Sequence, residues 1–268
     1  MRSVTPGTGD EHPAAPAGAD GDGSADRPAP AGADATPATR RDEIAAGLAR
    51  VEAEIAEACR AAGRHREELT LVAVSKTYPA SDVRLLAGLG ITDVGENRDQ
   101  EASAKARDCA DLGLRWHFIG QLQTNKARSV AGYADVVHSV DRPRLVTALS
   151  REALAAGRRI TCLVQVALDG DPARGGARPE EVEALADAVA GAGGLALGGV
   201  MAVAPLGEDP GRAFARLREI ARSVRDAHPE AVVVSAGMSG DLSQAIANGA
   251  THLRVGTALL GRRKPFVR

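Results

Sequence analysis

Apolar positions follow a helical period near the beginning of the chain and a strand-like pattern after it. Between residues 40 and 60 they recur at spacings of three and four with charged residues between them, which predicts an amphipathic helix built on Ile44, Leu48, Val51 and Ile55. Short runs rich in β-branched residues then alternate with helix-patterned segments. The runs span residues 70–75, 92–95, 115–119, 135–140, 161–167, 196–202, 232–236 and 252–255, and the helical segments lie near 80–89, 98–110, 124–132, 142–156, 179–191, 209–227 and 239–248.

This alternation determines the predicted fold. Parallel strands joined by crossover helices produce such an order, and eight strands favour closure into a single (β/α)8 TIM-type barrel. An open doubly wound sheet would show the same alternation and is the alternative. Its nucleotide-binding fingerprint, Gly-x-Gly-x-x-Gly at the opening of the first helix, is missing around residues 75–79. We therefore predict one α/β barrel domain over residues 40–268.

The first 39 residues differ in composition from the rest. They are rich in Ala, Pro, Gly and Asp and bury too little apolar surface to offset their ordering entropy, so we expect a disordered tail. The tail holds two arginines against six acidic residues, a formal charge of −4, and because the whole chain carries −2 the body carries +2. A nearly neutral body with 2% aromatic residues offers neither a basic face nor stacking platforms for nucleic acid.

The sequence also argues against a membrane protein, a secreted protein and a cysteine-based metal or disulfide framework. No run approaches the roughly 20 apolar residues that cross a bilayer, and the N-terminus lacks a basic region followed by an apolar core. The cysteines are odd in number and far apart, so we interpret Cys59, Cys109 and Cys162 as reduced thiols outside any metal or disulfide framework. We expect a soluble cytoplasmic protein without a membrane contact.

Lys76 is the first candidate for chemistry. It follows the first predicted strand, and active sites of such barrels lie at the carboxyl ends of the strands. Two interpretations are open: a solvated charge, or an amine whose pKa falls by desolvation so that it condenses with an aldehyde. The chain has four lysines among 33 basic residues, and arginine cannot form a Schiff base, which adds weight to the second. Lys105 and Lys126 lie in helical patterns among charged or polar residues, which predicts surface groups.

The last two strands are followed by turns suited to an anion. After the seventh strand comes a glycine-rich segment, 235–241, in which Ser239 is predicted to start a helix whose free N–H groups would attract a phosphate. The eighth strand leads into Gly256 and Thr257, again a glycine followed by a hydroxyl. In barrels of this type the loops after strands seven and eight often hold a phosphate. Ordinary turn and capping roles remain the alternative for either loop.

Other polar residues lie at or near the strand ends. Arg254 is within the eighth strand, where alternation directs it either toward the helices or into the barrel, and an inward guanidinium requires an acceptor. Asn97 follows the second strand and either bonds a ligand or caps the next helix. His117, next to aromatic residues in the third strand, is interpreted as a hydrogen-bonded core residue rather than an acid or base.

In their order and spacing, these segments resemble the pyridoxal phosphate homeostasis proteins, the YggS/PROSC family, over about residues 40–263. The resemblance rests on Val72-Ala73-Val74-Ser75-Lys76-Thr77, Gly95-Glu96-Asn97, Trp116-His117-Phe118-Ile119-Gly120, Gln121-Leu122-Gln123-Thr124-Asn125-Lys126, Gly199-Val200-Met201-Ala202, Gly237-Met238-Ser239-Gly240-Asp241 and Arg254-Val255-Gly256-Thr257. It implies a barrel like the N-terminal domain of alanine racemase, with pyridoxal 5′-phosphate (PLP) held as a Schiff base, an internal aldimine, on Lys76. Tyr78, at a variable position, is treated as a local departure.

The resemblance also implies the roles of the remaining site residues. Ser239, Gly256 and Thr257 would hold the phosphate of PLP, Asn97 and Met201 would line the cofactor, and Arg254 would meet the pyridine nitrogen. A permanently charged arginine there keeps the nitrogen unprotonated and weakens the cofactor as an electron sink. No metal site is expected.

Binding, rather than a dedicated reaction, is the function that the resemblance implies. Racemases of this barrel type use a tyrosine from an additional β domain, for which the chain has no room after the barrel, and neither Tyr78 nor Tyr133 can be assigned that role. The expectation is a protein of PLP (vitamin B6) homeostasis, a monomer or weak homodimer, with PLP-dependent apo-enzymes as possible recipients. A PLP-dependent racemase or lyase, and a cofactor-free Schiff-base aldolase, are the alternatives.

Overall fold

The computed structural model describes residues 39–169 and 175–261. Within them, eight strands alternate with helices in the predicted order. The strands are β1 (Thr70–Val74), β2 (Asp93–Glu96), β3 (Arg115–Phe118), β4 (Val136–Val140), β5 (Ile160–Gln165), β6 (Leu195–Met201), β7 (Val233–Ser235) and β8 (His252–Val255). The helices are α1 (Arg40–Ala62), α2 (Ala80–Ala87), α3 (Asp99–Asp108), α4 (Ala127–Ala131), α5 (Pro143–Ala155), α6 (Val182–Ala190), α7 (Pro210–Ala227), α8 (Leu242–Ala247) and α9 (Thr257–Leu260).

The strands form one closed, parallel barrel in sequence order. Closure is made by β1, whose Val72 lies opposite Asp93 of β2 on one side and opposite Arg254 of β8 on the other. An open doubly wound sheet would leave two edge strands unpaired, so the barrel prediction is confirmed and the alternative is excluded. The carboxyl ends of all eight strands consequently meet at one mouth of the barrel.

Local sequence signals fix both ends of α1. The Thr39 side chain accepts a hydrogen bond from the Asp42 amide, and the Asp42 carboxylate accepts one from the Thr39 amide, which is a capping box. The helix stops at Gly63, whose φ of +64° is a left-handed conformation that glycine adopts without strain. Its predicted apolar stripe is buried against the core at Ile44, Val51 and Ile55.

Helix α1 packs against α8 and α9 and ties down the chain that follows β8. A side chain at Gly47 would overlap the Leu259 carbonyl, so the glycine permits the close approach of α1 to α9. Arg40 donates hydrogen bonds to the Asp82 carboxylate at 2.6 Å and to the Leu260 carbonyl at 3.0 Å. The carboxyl end of α9 is therefore tied to α1 and α2 outside the barrel.

Strand β6 approaches its neighbours unusually closely. The register shifts between Cys162 and Leu163 of β5, and Gly199 in β6 has φ +143°. A Cβ at Gly199 would overlap the Val233 carbonyl of β7, so glycine is required there. This local geometry brings Met201 directly opposite Ser235 in the β6–β7 register.

The predictions about the rest of the chain have mixed outcomes. The expected tail, residues 1–39, lies outside the described residues except for Thr39, which caps α1, so the tail and its boundary remain predictions. Among the described helices none is both long and apolar enough to cross a membrane. Cys59, Cys109 and Cys162 are free and buried, as the interpretation of reduced thiols requires.

Candidate functional site

Lys76 lies immediately beyond the end of β1, exposed at the mouth of the barrel. It borders a cavity of about 260 Å³. That volume is slightly below the range of about 300–1,000 Å³ typical of sites for drug-sized ligands. The cavity is lined by Val74, Lys76, Thr77, Tyr78, Gly256, Thr257 and Gly261.

The backbone beside Lys76 is strained. Thr77 has φ +69°, and among the described residues no other non-glycine residue has a positive φ. A β-branched residue in this region is an outlier that costs about 1–3 kcal/mol. The conformation is held because the Thr77 amide donates to Glu101 of α3 at 3.1 Å and the Tyr78 amide donates to the Ser75 carbonyl at 3.0 Å. The turn therefore fixes the point from which the Lys76 side chain extends.

A buried ion pair supports this turn from below. The Lys105 ammonium donates to the Glu96 carboxylate at 2.6 Å and to the Ser75 carbonyl at 2.7 Å, and the Ser75 hydroxyl donates to the same carboxylate oxygen at 2.6 Å. Burial raises the pKa of Glu96, although the hydrogen bonds from Lys105 and Ser75 oppose that shift. The backbone that carries Lys76 is thus attached to a charged cluster in the interior.

The prediction that Lys105 is a surface group is wrong, because only 8% of the residue is exposed. It shares the inner face of α3 with Ala102 and Ala106, three residues before and one residue after it. Small residues at that helical spacing were the signal in the sequence, since a charged side chain among them faces the barrel. Lys126, by contrast, is a surface group as predicted, with 39% of its side chain exposed.

The turn after β7 is built around Gly237. Its φ is +93°, and a Cβ there would lie 2.8 Å from Ala245, so a side chain would be excluded on both counts. The Gly237 carbonyl accepts a hydrogen bond from the Arg254 amide at 2.9 Å, which joins this turn to β8. The two loops predicted to bind an anion are consequently neighbours.

Ser239 lies in an exposed part of this turn, and its predicted position at the start of a helix is wrong. Helix α8 begins at Leu242, because the Asp241 carboxylate accepts the Met238 amide at 2.6 Å and closes a turn ahead of the helix. Within the described residues, the amides of Ser239 and Gly240 have no hydrogen-bond acceptor. Two donors and a hydroxyl are therefore available in the loop after β7.

Gly256 and Thr257 meet the Lys76 turn directly. A Cβ at Gly256 would come within 3.0 Å of the Val74 carbonyl, so glycine lets the ends of β8 and β1 touch. Thr257 is exposed at the first position of α9. Of the seven predicted site residues, Lys76, Gly256 and Thr257 share one cavity, whereas Asn97, Met201, Ser239 and Arg254 do not line it.

Arg254 points into the barrel, which decides between its two predicted orientations. It is 5% exposed and donates to the Ser235 hydroxyl at 2.6 Å and to the Ala202 carbonyl at 2.9 Å. Burial lowers its pKa to about 10, so the guanidinium stays charged at neutral pH. Two of its five N–H donors are used by these bonds. Met201 is buried beside the same group, opposite Ser235 and one residue before Ala202.

His117 is a hydrogen-bonded core residue, as predicted. Its ring bonds the Asp93 carboxylate at 2.8 Å and the ring of His138 at 2.8 Å. His138, which the sequence analysis did not single out, continues to Ser235 at 2.9 Å. Its position in β4, flanked by buried valines and a serine, was the available signal, since a histidine inside a parallel strand needs polar partners.

Asn97 is half-buried in the loop after β2. Of its two predicted roles, capping the next helix is excluded, because the residue at the N-cap of α3 is Arg98 and no side chain caps that helix. The Asn97 backbone packs so closely on Gly120 that a Cβ there would overlap the Asn97 carbonyl. The amide side chain thus remains a candidate for the predicted contact with a ligand.

These residues fit PLP in three respects. The Lys76 amine is exposed in a cavity and can reach an aldehyde. The loops after β7 and β8 supply free amides and hydroxyls for a phosphate dianion, in the location where this type of barrel binds phosphate. Arg254 is a buried cation whose guanidinium retains N–H donors for a ring nitrogen.

The comparison with known proteins first gives the class. Residues 48–264 match the family described as alanine racemase, N-terminal domain, which agrees with the closed barrel. Relatives within that class are more specific. A Mycobacterium tuberculosis pyridoxal phosphate homeostasis protein is 44% identical over 244 residues, covering 84% of this chain and 95% of that protein. An Escherichia coli protein with the same name is 38% identical over 228 residues, covering 83% and 97%.

The chain belongs to the pyridoxal phosphate homeostasis protein family. Among solved structures it is similar to PipY of Synechococcus elongatus with PLP bound, at a TM-score of 0.72 and 35% identity, covering 81% of this chain and 100% of that chain. The family resemblance inferred from the motifs is thereby confirmed.

Acid should destabilise the protein through the half-buried His252. Burial lowers the pKa of His252 from 6.5 to about 4, so the unfolded chain binds more protons between those values and stability declines as pH falls through them. The full loss from His252 is roughly 3 kcal/mol. Urea unfolding across this range should show a shallower pH dependence in His252→Gln, whereas exposed His65→Gln should match the parent. Equal slopes in all three proteins would contradict the prediction.

Proposed function

We propose that this protein binds PLP as a Schiff base on Lys76 and serves PLP homeostasis without a dedicated catalytic reaction. The observation that carries the proposal is that Lys76 shares its cavity with Gly256 and Thr257, an amine and a hydroxyl-bearing turn on adjacent strands. The names of its relatives and the PLP bound by PipY support the same ligand.

Each remaining site residue has a proposed task. Ser239, Gly256 and Thr257 hold the phosphate, Asn97 and Met201 line the cofactor, and Arg254 donates to the pyridine nitrogen. When bound, PLP supplies an aldehyde and a ring that can accept electrons. Arg254, charged at neutral pH, keeps the ring nitrogen unprotonated and restrains that electron sink. The arrangement favours holding the cofactor over activating it.

The tyrosines support a binding function over a racemase or lyase. The Tyr78 hydroxyl donates to the Gly261 carbonyl, and the Tyr133 hydroxyl is buried. Burial raises the pKa of Tyr133 far above its ordinary value, with the charges of Asp99 and Glu96 adding to the shift. Neither hydroxyl is suited to exchange a proton with a substrate on the second face of a cofactor.

The remaining expectations concern the surroundings of the protein. We propose that it is cytoplasmic, that it is a monomer or weak homodimer, and that PLP-dependent apo-enzymes receive its cofactor. Transfer of PLP to an apo-enzyme, followed as recovery of that enzyme's activity, tests the recipient role directly.

Mass spectrometry after borohydride reduction tests the central proposal. Reduction fixes a Schiff base as a stable secondary amine, so we expect one phosphopyridoxyl group per chain on the peptide that contains Lys76. Attachment to Lys105 or Lys126 instead would refute the site assignment. A colourless protein without phosphorus would favour a cofactor-free aldolase, and rapid turnover of an amino acid would favour a racemase or lyase.

A further inference from the structure

A hydrogen-bonded chain crosses the barrel interior from β8 to β2 and ends on Arg254. The guanidinium of Arg254 donates to the Ser235 hydroxyl at 2.6 Å, Ser235 bonds Nδ1 of His138 at 2.9 Å, and Nε2 of His138 bonds Nδ1 of His117 at 2.8 Å. Nε2 of His117 then bonds the Asp93 carboxylate at 2.8 Å. All five residues are buried.

The chemistry of the two ends fixes the direction of every bond in this chain. A guanidinium only donates and an ionised carboxylate only accepts, so Ser235 accepts from Arg254 and His117 donates through Nε2 to Asp93. If both imidazoles are neutral, Nδ1 of His117 carries no proton and must accept from Nε2 of His138. Nδ1 of His138 must then accept in turn, and the Ser235 hydroxyl donates its proton to it. Each donor then has an acceptor and each ring carries one proton.

The opposite direction would leave the chain incomplete. If His138 donated from Nδ1 to Ser235, its Nε2 would have to accept from His117, which would then carry protons on both nitrogens. The Ser235 proton would also have no acceptor among the described residues. A second buried cation would face Arg254 across the same interior, at a considerable desolvation cost.

The surroundings favour a neutral His138. Burial lowers the pKa of His138 well below its usual value, and the charge of Arg254 acts in the same direction. Burial acts to raise the pKa of Asp93, but hydrogen bonds from His117 and Thr92 outweigh it and the pKa is lowered. The charged groups near the far end are therefore the ionised Asp93 and the exposed Arg115, which lies 3.7 Å away.

We infer that Ser235 and His138 are positioning residues, which hold Arg254 in the orientation that meets the pyridine nitrogen of PLP. This inference rests on the proposed function and extends it. This hydrogen-bonded relay from Arg254 to Asp93 lets a buried guanidinium face the cofactor without a carboxylate hydrogen-bonded to it within the described residues. The Asp241 carboxylate acts on Arg254 through its charge alone, and Asp93 is reached through three neutral groups. A carboxylate in direct contact would instead neutralise the effect of Arg254 on the ring.

The first measurement uses the protein without PLP. In long-range proton–nitrogen NMR spectra of the ¹⁵N-histidine-labelled chain at neutral pH, His117 and His138 should both be neutral with the proton on Nε2. Single His→Gln variants assign the signals. A doubly protonated His117, or a proton on Nδ1 of His138, would overturn the relay whether or not the protein binds PLP.

The second measurement uses the PLP-loaded protein. Ser235→Ala removes one of the two acceptors that hold Arg254, so the cation moves from the ring and the Schiff-base nitrogen becomes more basic. We expect the pH midpoint of the Schiff-base absorption band to rise by about 0.5 unit or more in this variant. Ser235→Thr, which keeps the hydroxyl, should restore the parent midpoint.

Ser139→Ala is the matched control. Ser139 follows His138 in β4 and is equally buried, but its hydroxyl has no hydrogen-bond partner within the described residues. Its loss should leave both the histidine tautomers and the absorption midpoint unchanged. If Ser235→Ala titrates like Ser139→Ala, the positioning role is refuted. The lack of any such band in the parent protein would instead refute the proposed function, and the NMR result would still decide the relay.

Discussion

Lys76→Ala should abolish covalent PLP binding. The alanine removes the amine that forms the Schiff base and leaves the proposed phosphate loops and Arg254 to hold the cofactor by non-covalent contacts alone. We expect the absorption band to vanish and PLP binding to weaken by at least about 100-fold, which corresponds to roughly 3 kcal/mol. Because Lys76 is exposed, the free energy of unfolding without PLP should change by less than about 0.5 kcal/mol.

Two further substitutions separate the amine from its charge. Lys76→Arg retains a positive charge but cannot form a Schiff base, so it should lose the band as completely as alanine does. Lys126→Ala removes an exposed lysine elsewhere on the surface and should bind PLP like the parent. Retention of the band in Lys76→Arg would show that another amine carries the cofactor.

Lys105→Met should give the largest loss of stability among the lysine substitutions. It removes the ammonium from a buried carboxylate, and breaking a buried ion pair from one side costs about 3–5 kcal/mol. One Glu96 oxygen already has no partner within the described residues, so the cluster has no spare donor to offer. Urea unfolding of the PLP-free protein measures the effect without involving the cofactor.

Removing both charges should recover much of this loss. In Lys105→Met/Glu96→Gln the carboxylate is replaced by a neutral amide, so no uncompensated charge remains in the interior, and we expect a coupling energy of about 1–3 kcal/mol. Lys126→Met is the matched control, because the Lys126 side chain is 39% exposed and its ammonium lies 3.9 Å from the Asp99 carboxylate, so this long ion pair should contribute less than about 1 kcal/mol. Equal losses in Lys105→Met and Lys126→Met would contradict the importance of the buried pair.

The barrel could be predicted because its signals are local and repeated. Each predicted strand overlaps an observed strand, and the ends differ by at most two residues. Such differences arise because hydrogen-bonded registers rather than propensities decide where a strand stops. Helix starts were less certain where a turn intervenes. At 239–241, the contact between the Asp241 carboxylate and the Met238 amide moves the start of α8 to Leu242.

For the candidate site, the sequence located the strand ends but not the support behind them. Lys76, Gly256 and Thr257 could be grouped because every strand of a parallel barrel delivers its carboxyl end to the same mouth. The Glu96–Lys105 pair joins residues on a strand and on the helix after it, and its burial depends on which face of α3 meets the barrel. In the sequence, the charged residues near Lys105 gave no indication that it lies on the buried face of α3.

The sequence by itself determined the barrel, its family and the lysine that follows β1, because periodicity, glycine placement and motif order are local properties of the chain. Tertiary structure alone decided that Arg254 faces inward and that Ser235, His138, His117 and Asp93 connect behind it. These five residues come from five different strands, and Asp93 and Arg254 lie 161 positions apart in the sequence. Their hydrogen bonds therefore depend on barrel closure and strand register, which set the distances between the side chains.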